Sequence, residues 1–338
     1  MHFDRPIGGF FELELPAPQS GNLLAHWQAD ALNSRWYANA RSALAHLLRH
    51  KQCTRVWLPA YLCDALVDAI LYAGCRVQFY PVDEQLHPDS NWLVSRINTG
   101  DAVLAIDYFG RSPNSLFRGL VQSRQDVIWI EDRAQAIDTG QPPWGTWQLF
   151  SPRKLLGVPD GGLLVGPQLA DLPTPHGIPP IHVSAWLRRE DSHGSRNSEW
   201  YGRFKQDEAD MDIDLRPASK LTQHLLACTP AHTLIQARRQ NYARYQAALP
   251  YMSFLGETRA FVPFGFVIRT PHADALWQHL IDQRIFAQRH WRELSTAVEE
   301  FPVAHQLAGE LLTLPCDHRL NNADVDRVIA AIQVFFDE

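Results

Sequence analysis

Between Asn39 and Asp132 the chain switches repeatedly between two hydrophobic periods, and few folds accept that pattern. Ala43, Leu44, Leu47 and Leu48 fall at helical spacing. Arg55 to Leu58 is a short apolar strand closed by Pro59. Asp64 to Tyr72 has helical spacing and stops at Gly74. Arg76 to Tyr80 reads as a strand with apolar residues on alternate sides. Ala102 to Asp107 is an apolar strand ending in Tyr108-Phe109-Gly110. Leu116 to Gln122 is a weak helix, and Val127 to Ile130 is an apolar strand ending in Glu131-Asp132. Strands alternating with helices predict an α/β domain, a mainly parallel sheet covered by helices on both faces. In such a sheet ligands bind outside the carboxyl ends of the strands. The loops to watch are Pro59-Ala60-Tyr61, Asp107 to Gly110, Glu131 to Gln135, and the residues after Phe150.

The flanks are less regular. The first thirty residues read as a lead-in with one short strand. Gln168 to Ile181 is proline-rich, and Arg188 to Asp214 is charge-dense, as in surface loop and irregular helix. Leu221 to Leu249 is one or two helices, Phe261 to Ile268 a strand, and Ala273 to Arg284 and Asn322 to Phe335 helices. The expected division is a large domain over residues 1–220 and a smaller α+β domain over residues 221–338. The 338 residues leave ample room for a core, and a net charge of -6 excludes a broadly basic nucleic-acid binder. No apolar run approaches a membrane span, and the first residues carry no signal-peptide pattern. Five scattered cysteines without a CxxC pair suit a reducing cytoplasm. No HExxH or other tight ligand spacing is present, so no metal is expected; GxxxxGK[ST], GxGxxG after the first strand, and GxSxG are also absent.

Three segments could carry chemistry. In Phe150-Ser151-Pro152-Arg153-Lys154, followed by Asp160-Gly161-Gly162, a lysine sits between a strand-like run and a glycine pair. Desolvation, or the neighbouring Arg153, would favour its free amine and suit it to a Schiff base with an aldehyde cofactor; the alternative is a surface lysine in a turn. In Ile130-Glu131-Asp132-Arg133-Ala134-Gln135-Ala136 an acid ends a buried strand. It can pair with a protonated pyridine nitrogen, or simply cap the next helix. Ala40-Arg41-Ser42 opens a helix, where amides and a hydroxyl can hold a phosphate or serve as an ordinary N-cap.

In this order, the segments resemble the DegT/DnrJ-type sugar aminotransferases, pyridoxal-phosphate (PLP) enzymes of the aspartate-aminotransferase fold, fold type I. Leu58 to Gly74 looks like the family's stretch from P-S-F-T-F to A-G-A at equal length. Val82-Asp83, Asp107 to Gly110, Arg238-Arg239, Asn241-Tyr242, Ile285-Phe286 and Leu314 to Asp317 are similar to further landmarks. The resemblance implies a seven-stranded, mainly parallel sheet, a smaller C-terminal domain and a homodimer. It implies that Lys154 is the Schiff-base lysine and the acid/base at the substrate, and that Asp132 partners the ring nitrogen. Gln135 is expected at the ring hydroxyl. Ala40, Arg41, Ser42 and Ser151 are expected around the phosphate. Equal-length matching puts Cys63 at the ring-stacking position, with Tyr61 the other source of a ring. The activity implied is PLP-dependent transfer of an amino group from an amino acid, expected to be glutamate, to a keto sugar. The sugar is expected to be nucleotide-linked and the setting cytoplasmic polysaccharide or secondary-metabolite biosynthesis. A homologue keeping the fold for binding or regulation is the alternative.

Overall fold

The computed structural model describes residues 17–29, 32–167, 169–191 and 194–337. The lead-in expected at residues 1–16 lies outside them; residues 17–29 hold one short helix, α1 (Leu23–His26), and no strand.

Seven strands form the main sheet: β1 (Ser34–Tyr37), β2 (Arg55–Pro59), β3 (Arg76–Tyr80), β4 (Ala102–Ile106), β5 (Ile128–Asp132), β6 (Trp147–Phe150) and β7 (Gly162–Val165). Their order is β1-β7-β6-β5-β4-β2-β3, with β2 to β6 mutually parallel and β7 antiparallel to both β6 and β1. The expected mainly parallel α/β sheet is present. β4 is buried along its whole length, as its unbroken apolar run requires when helices cover both faces.

The helices over this sheet are α2 (Ala40–His50), α3 (Asp64–Tyr72), α4 (Ser90–Val94) and α5 (Ser115–Ser123). Asn39 starts α2 by accepting the Ser42 amide at 2.9 Å, and Asn114 starts α5 by accepting the Phe117 amide at 3.0 Å. The polar middle region is more ordered than its composition suggests. It folds as α6 (Ser184–Glu190) and α7 (Asn197–Ala209), packed on each other.

The remaining chain forms α8 (Lys220–Cys228), α9 (Ala231–Ala248), β8 (Phe266–Arg269), α10 (Ala273–Asp282), α11 (Pro302–Glu310), β9 (Leu311–Leu314) and α12 (Asn322–Asp337). β8 and β9 pair antiparallel in a sheet of their own. The strand expected from Phe261 begins only at Phe266. Residues 262 and 264 instead donate their amides to the carbonyls of Asp138 and Phe109, tying this segment to the carboxyl-end loops of the large sheet. One hydrophobic cluster extends from Tyr37 to Ile332 and includes residues of both sheets.

Candidate active site

Asp132 is the last residue of β5, at the carboxyl end of a central strand. It is 5% exposed, and its Oδ1 accepts the Ala134 amide at 2.8 Å. Burial pushes its carboxyl above the usual range, and the positive charge of Lys154 pulls it back. Lys154 ends a single 3₁₀ turn after β6, so two adjacent parallel strands deliver the acid and the amine to the same end of the sheet. The side chain of Lys154 is exposed, which corrects the expected desolvation: the otherwise apolar segment buries Pro152 and Leu155 instead.

His290 is the third member of the group. It is separated from Asp132 by more than 150 positions, and no local pattern marks it. Burial, followed by the Lys154 charge, lowers its pKa to about 3, so the ring is neutral at physiological pH. Its Nε2 is buried without a hydrogen-bond partner among the described residues. Aromatic rings surround it. The His290 centroid lies 5.7 Å from Phe109, 5.8 Å from Phe264 and 5.6 Å from Trp291.

Tyr61, fully buried, donates its hydroxyl to the His290 carbonyl at 3.2 Å, and the Tyr108 hydroxyl donates to the Tyr61 carbonyl. The Trp291 ring sits edge-on, 4.9 Å from Tyr61 and 5.9 Å from Tyr108. Tyr61 therefore belongs to the aromatic group near Asp132. Cys63 is half-buried at the N-cap of α3, with no capping hydrogen bond, and lies within electrostatic reach of Lys205 on α7. Gln135 is buried, and its Oε1 accepts the Phe109 amide at 2.9 Å. That bond holds Phe109 at a φ of 57°, in the left-handed region. Gly110 comes next at φ 94°, where an added Cβ would meet the Val262 carbonyl at 2.3 Å. Gln135 thus fixes the turn after β4 against the 262–264 segment.

Ala40 and Arg41 are half-exposed at the start of α2, and no acceptor among the described residues takes their amides. Ser42 faces elsewhere. It is fully buried, its hydroxyl accepts the Asp214 amide at 3.1 Å, and it reaches the Asp212 carbonyl at 3.5 Å. The hydroxyl expected at a phosphate is therefore engaged with the chain's own 212–214 segment. The Arg41 guanidinium donates to the carbonyls of Glu208 and Met211 at 3.1 and 2.9 Å. Arg153 lies within electrostatic reach of Arg41 and stacks its guanidinium 4.8 Å over the Phe204 ring. Ser151 is half-buried, and its carbonyl accepts the Lys154 amide.

The glycine pair after Lys154 has a packing role. Asp160 accepts the Ser219 amide at 2.9 Å and so anchors the start of α8. The Gly161 amide donates to the Ala38 carbonyl at 2.7 Å. A Cβ on Gly162 would meet the Asn39 carbonyl carbon at 2.1 Å, so only glycine lets β7 pass the start of α2 this closely.

Residues 224–333 match the profile of the DegT/DnrJ/EryC1/StrS aminotransferase family. That match covers about a third of the chain, within its C-terminal part. DesV of S. venezuelae, solved with a ketimine intermediate, is 19% identical; the match covers 93% of this chain and 86% of that one at a TM-score of 0.69. The sugar aminotransferase CalS13 of Micromonospora echinospora is 16% identical over 94% of this chain and 93% of that one, at 0.65. Spr1654 of Streptococcus pneumoniae, solved in a PLP form and a PMP form, is 15% identical, with coverage of 92% and 88–89% at 0.67. A comparison with curated protein sequences returns no match. The architecture is that of the fold-type-I PLP-dependent transferases, as the resemblance implied.

Proposed function

We propose that this chain is a PLP-dependent sugar aminotransferase. One observation carries the reading: on this fold, the buried carboxylate ending β5 and the amine after β6 come to the same end of the sheet within electrostatic reach of each other, and Asp132 is within reach of Tyr108, which is packed with Tyr61 and Trp291. Asp132 fits the ring end of the cofactor. A buried carboxylate needs a cation, and Lys154 is exposed beside it rather than hydrogen-bonded to it. The open amides of Ala40 and Arg41, with the Arg153 guanidinium in the same region, fit the phosphate end.

When bound, PLP supplies the electron sink that makes the α-proton of an amino acid removable. Asp132 would hold the pyridine nitrogen as an ion-paired hydrogen-bond acceptor, and Lys154 would hold the cofactor's aldehyde carbon and, when free, serve as base and acid for the amino donor's α-proton. His290, neutral and half-buried, adds no competing charge beside Tyr61 and Trp291. We read the donor as glutamate, the acceptor as a nucleotide-linked keto sugar, and the assembly as a cytoplasmic homodimer. Ile178, Ile181, Trp186 and Tyr201, all exposed across the α6–α7 region, support a face covered by a second copy.

A second reading, a binding or regulatory relative, draws on the 208–214 segment, whose backbone groups already occupy Ser42 and the Arg41 side chain. Transfer of nitrogen from ¹⁵N-glutamate to nucleotide-linked keto sugars separates the two. The enzyme reading expects labelled amino sugar from the wild type and a loss of about 10²–10⁴-fold or more in Lys154→Ala. Labelled product at equal rates in both proteins would refute the assigned role.

A further inference from the structure

Arg133 directly follows Asp132, but its side chain lies with Glu131 on the opposite face of β5. It is 8% exposed, and among the described residues none of its guanidinium N–H groups makes a hydrogen bond. Nε lies 3.8 Å from Glu131 and 3.9 Å from Asp107, too far to be bonded, and is fully buried. The guanidinium sits 5.1 Å over the Phe150 ring, which fixes its plane. Arg133 also lines a cavity of about 450 Å³, with residues 26–28 and 33, the 138–146 loop and the end of β7. That volume is within the range of small-molecule sites.

A largely buried guanidinium usually has hydrogen-bond partners. Here only Nε is fully buried, beside Glu131 and Asp107, while the Nη groups keep some exposure on the cavity that Arg133 lines and bond none of its described walls. We propose that this cavity is a second binding site, distinct from the Asp132–Lys154 site, and that it takes a small polar molecule through a carboxylate or phosphate group paired to Arg133. The planar fork matches the two oxygens of either group. Asp138 on the wall does not fill the role. Its carboxylate is already paired with His26 at 3.4 Å and accepts the Gly140 amide at 2.7 Å. The ligand's remainder meets Gln148, Gln141 and the exposed rim residue Thr146.

The test follows the Arg133 Nε–H resonance of the full-length protein by NMR. Inorganic phosphate and succinate are titrated separately at constant ionic strength, with chloride as the control. A saturable shift with phosphate or with succinate, absent with chloride, is the expected result, and the tighter of the two identifies the group recognised. Arg133→Lys keeps the charge beside Asp107 and Glu131 but removes the fork, and Thr146→Trp narrows the mouth from an exposed position. Each should weaken binding by roughly tenfold or more. If Arg133→Lys does not fold, Thr146→Trp decides alone. A resonance that only tracks ionic strength, or undiminished binding in Thr146→Trp, would overturn the proposal.

Discussion

Asp107 shows how much electrostatic strain one buried position can hold beside the candidate site. It is fully buried, its Oδ1 accepts the Trp144 indole N–H at 3.1 Å, and its Oδ2 has no hydrogen-bond partner. Burial, and then the charge of Glu131, raise its pKa well above the carboxylate range; Arg133 opposes both. Glu131 is also pushed up by burial, although it accepts the Trp144 and Gly145 amides at 2.9 and 3.0 Å. Burial thus favours the protonated form at both carboxyls, with Arg133 as the cation beside them. A raised folded pKa favours folding below the unfolded pKa, near 4, and that contribution fades as pH rises through the folded value. Asp107→Asn removes this loss and offers Glu131 an N–H donor. The expected result is that the stability of Asp107→Asn relative to wild type improves as pH rises above about 4. Urea unfolding at rising pH measures it, and a pH-independent difference would contradict the raised pKa of Asp107.

At the scale of elements, the decisive contact is β7 against the start of α2. Gly162 pairs with Tyr37 across β1–β7 while touching the backbone of Asn39 and Ala40. Gly162→Ala would force these elements apart, at a cost of about 1–3 kcal/mol. It would also move the Ala40 and Arg41 amides away from the Lys154 end of the sheet. Urea unfolding should show the lost stability, and PLP affinity should fall with it; an unchanged midpoint would mean the contact yields freely. Much at this scale is legible in the sequence. The helix starting at Asn39, the strands at Arg55, Arg76 and Ala102, and the strand ending at Asp132 emerge from period and end signals, because local burial enforces both. β1 and β9 are not legible: each has only four residues, and its pairing partner is distant in sequence. Charge obscures α6 and α7, since both lie largely at the surface.

The site itself is partly legible for the same reason. Asp132 and Lys154 each sit at a strand end, where the fold class places ligands, so their sequence contexts carry the signal. His290 and Trp291 come from the chain beyond β8 and reach the site only through tertiary packing, held by the Tyr61 hydroxyl and the 262–264 segment. Ser42 shows the converse. Its place at a helix start is plain from the sequence, but its orientation depends on residues 212–214, more than 160 positions away. At the scale of the whole molecule, the central claim is that this fold brings Lys154 to a bound PLP. The most direct measurement is the visible spectrum of the protein with added PLP, followed by borohydride reduction and mass mapping. Wild type should show a yellow band and a reduced pyridoxyl mass on the peptide containing Lys154, and both should be absent in Lys154→Ala. Wild-type protein without that band, or with the label on other lysines only, would contradict the claim.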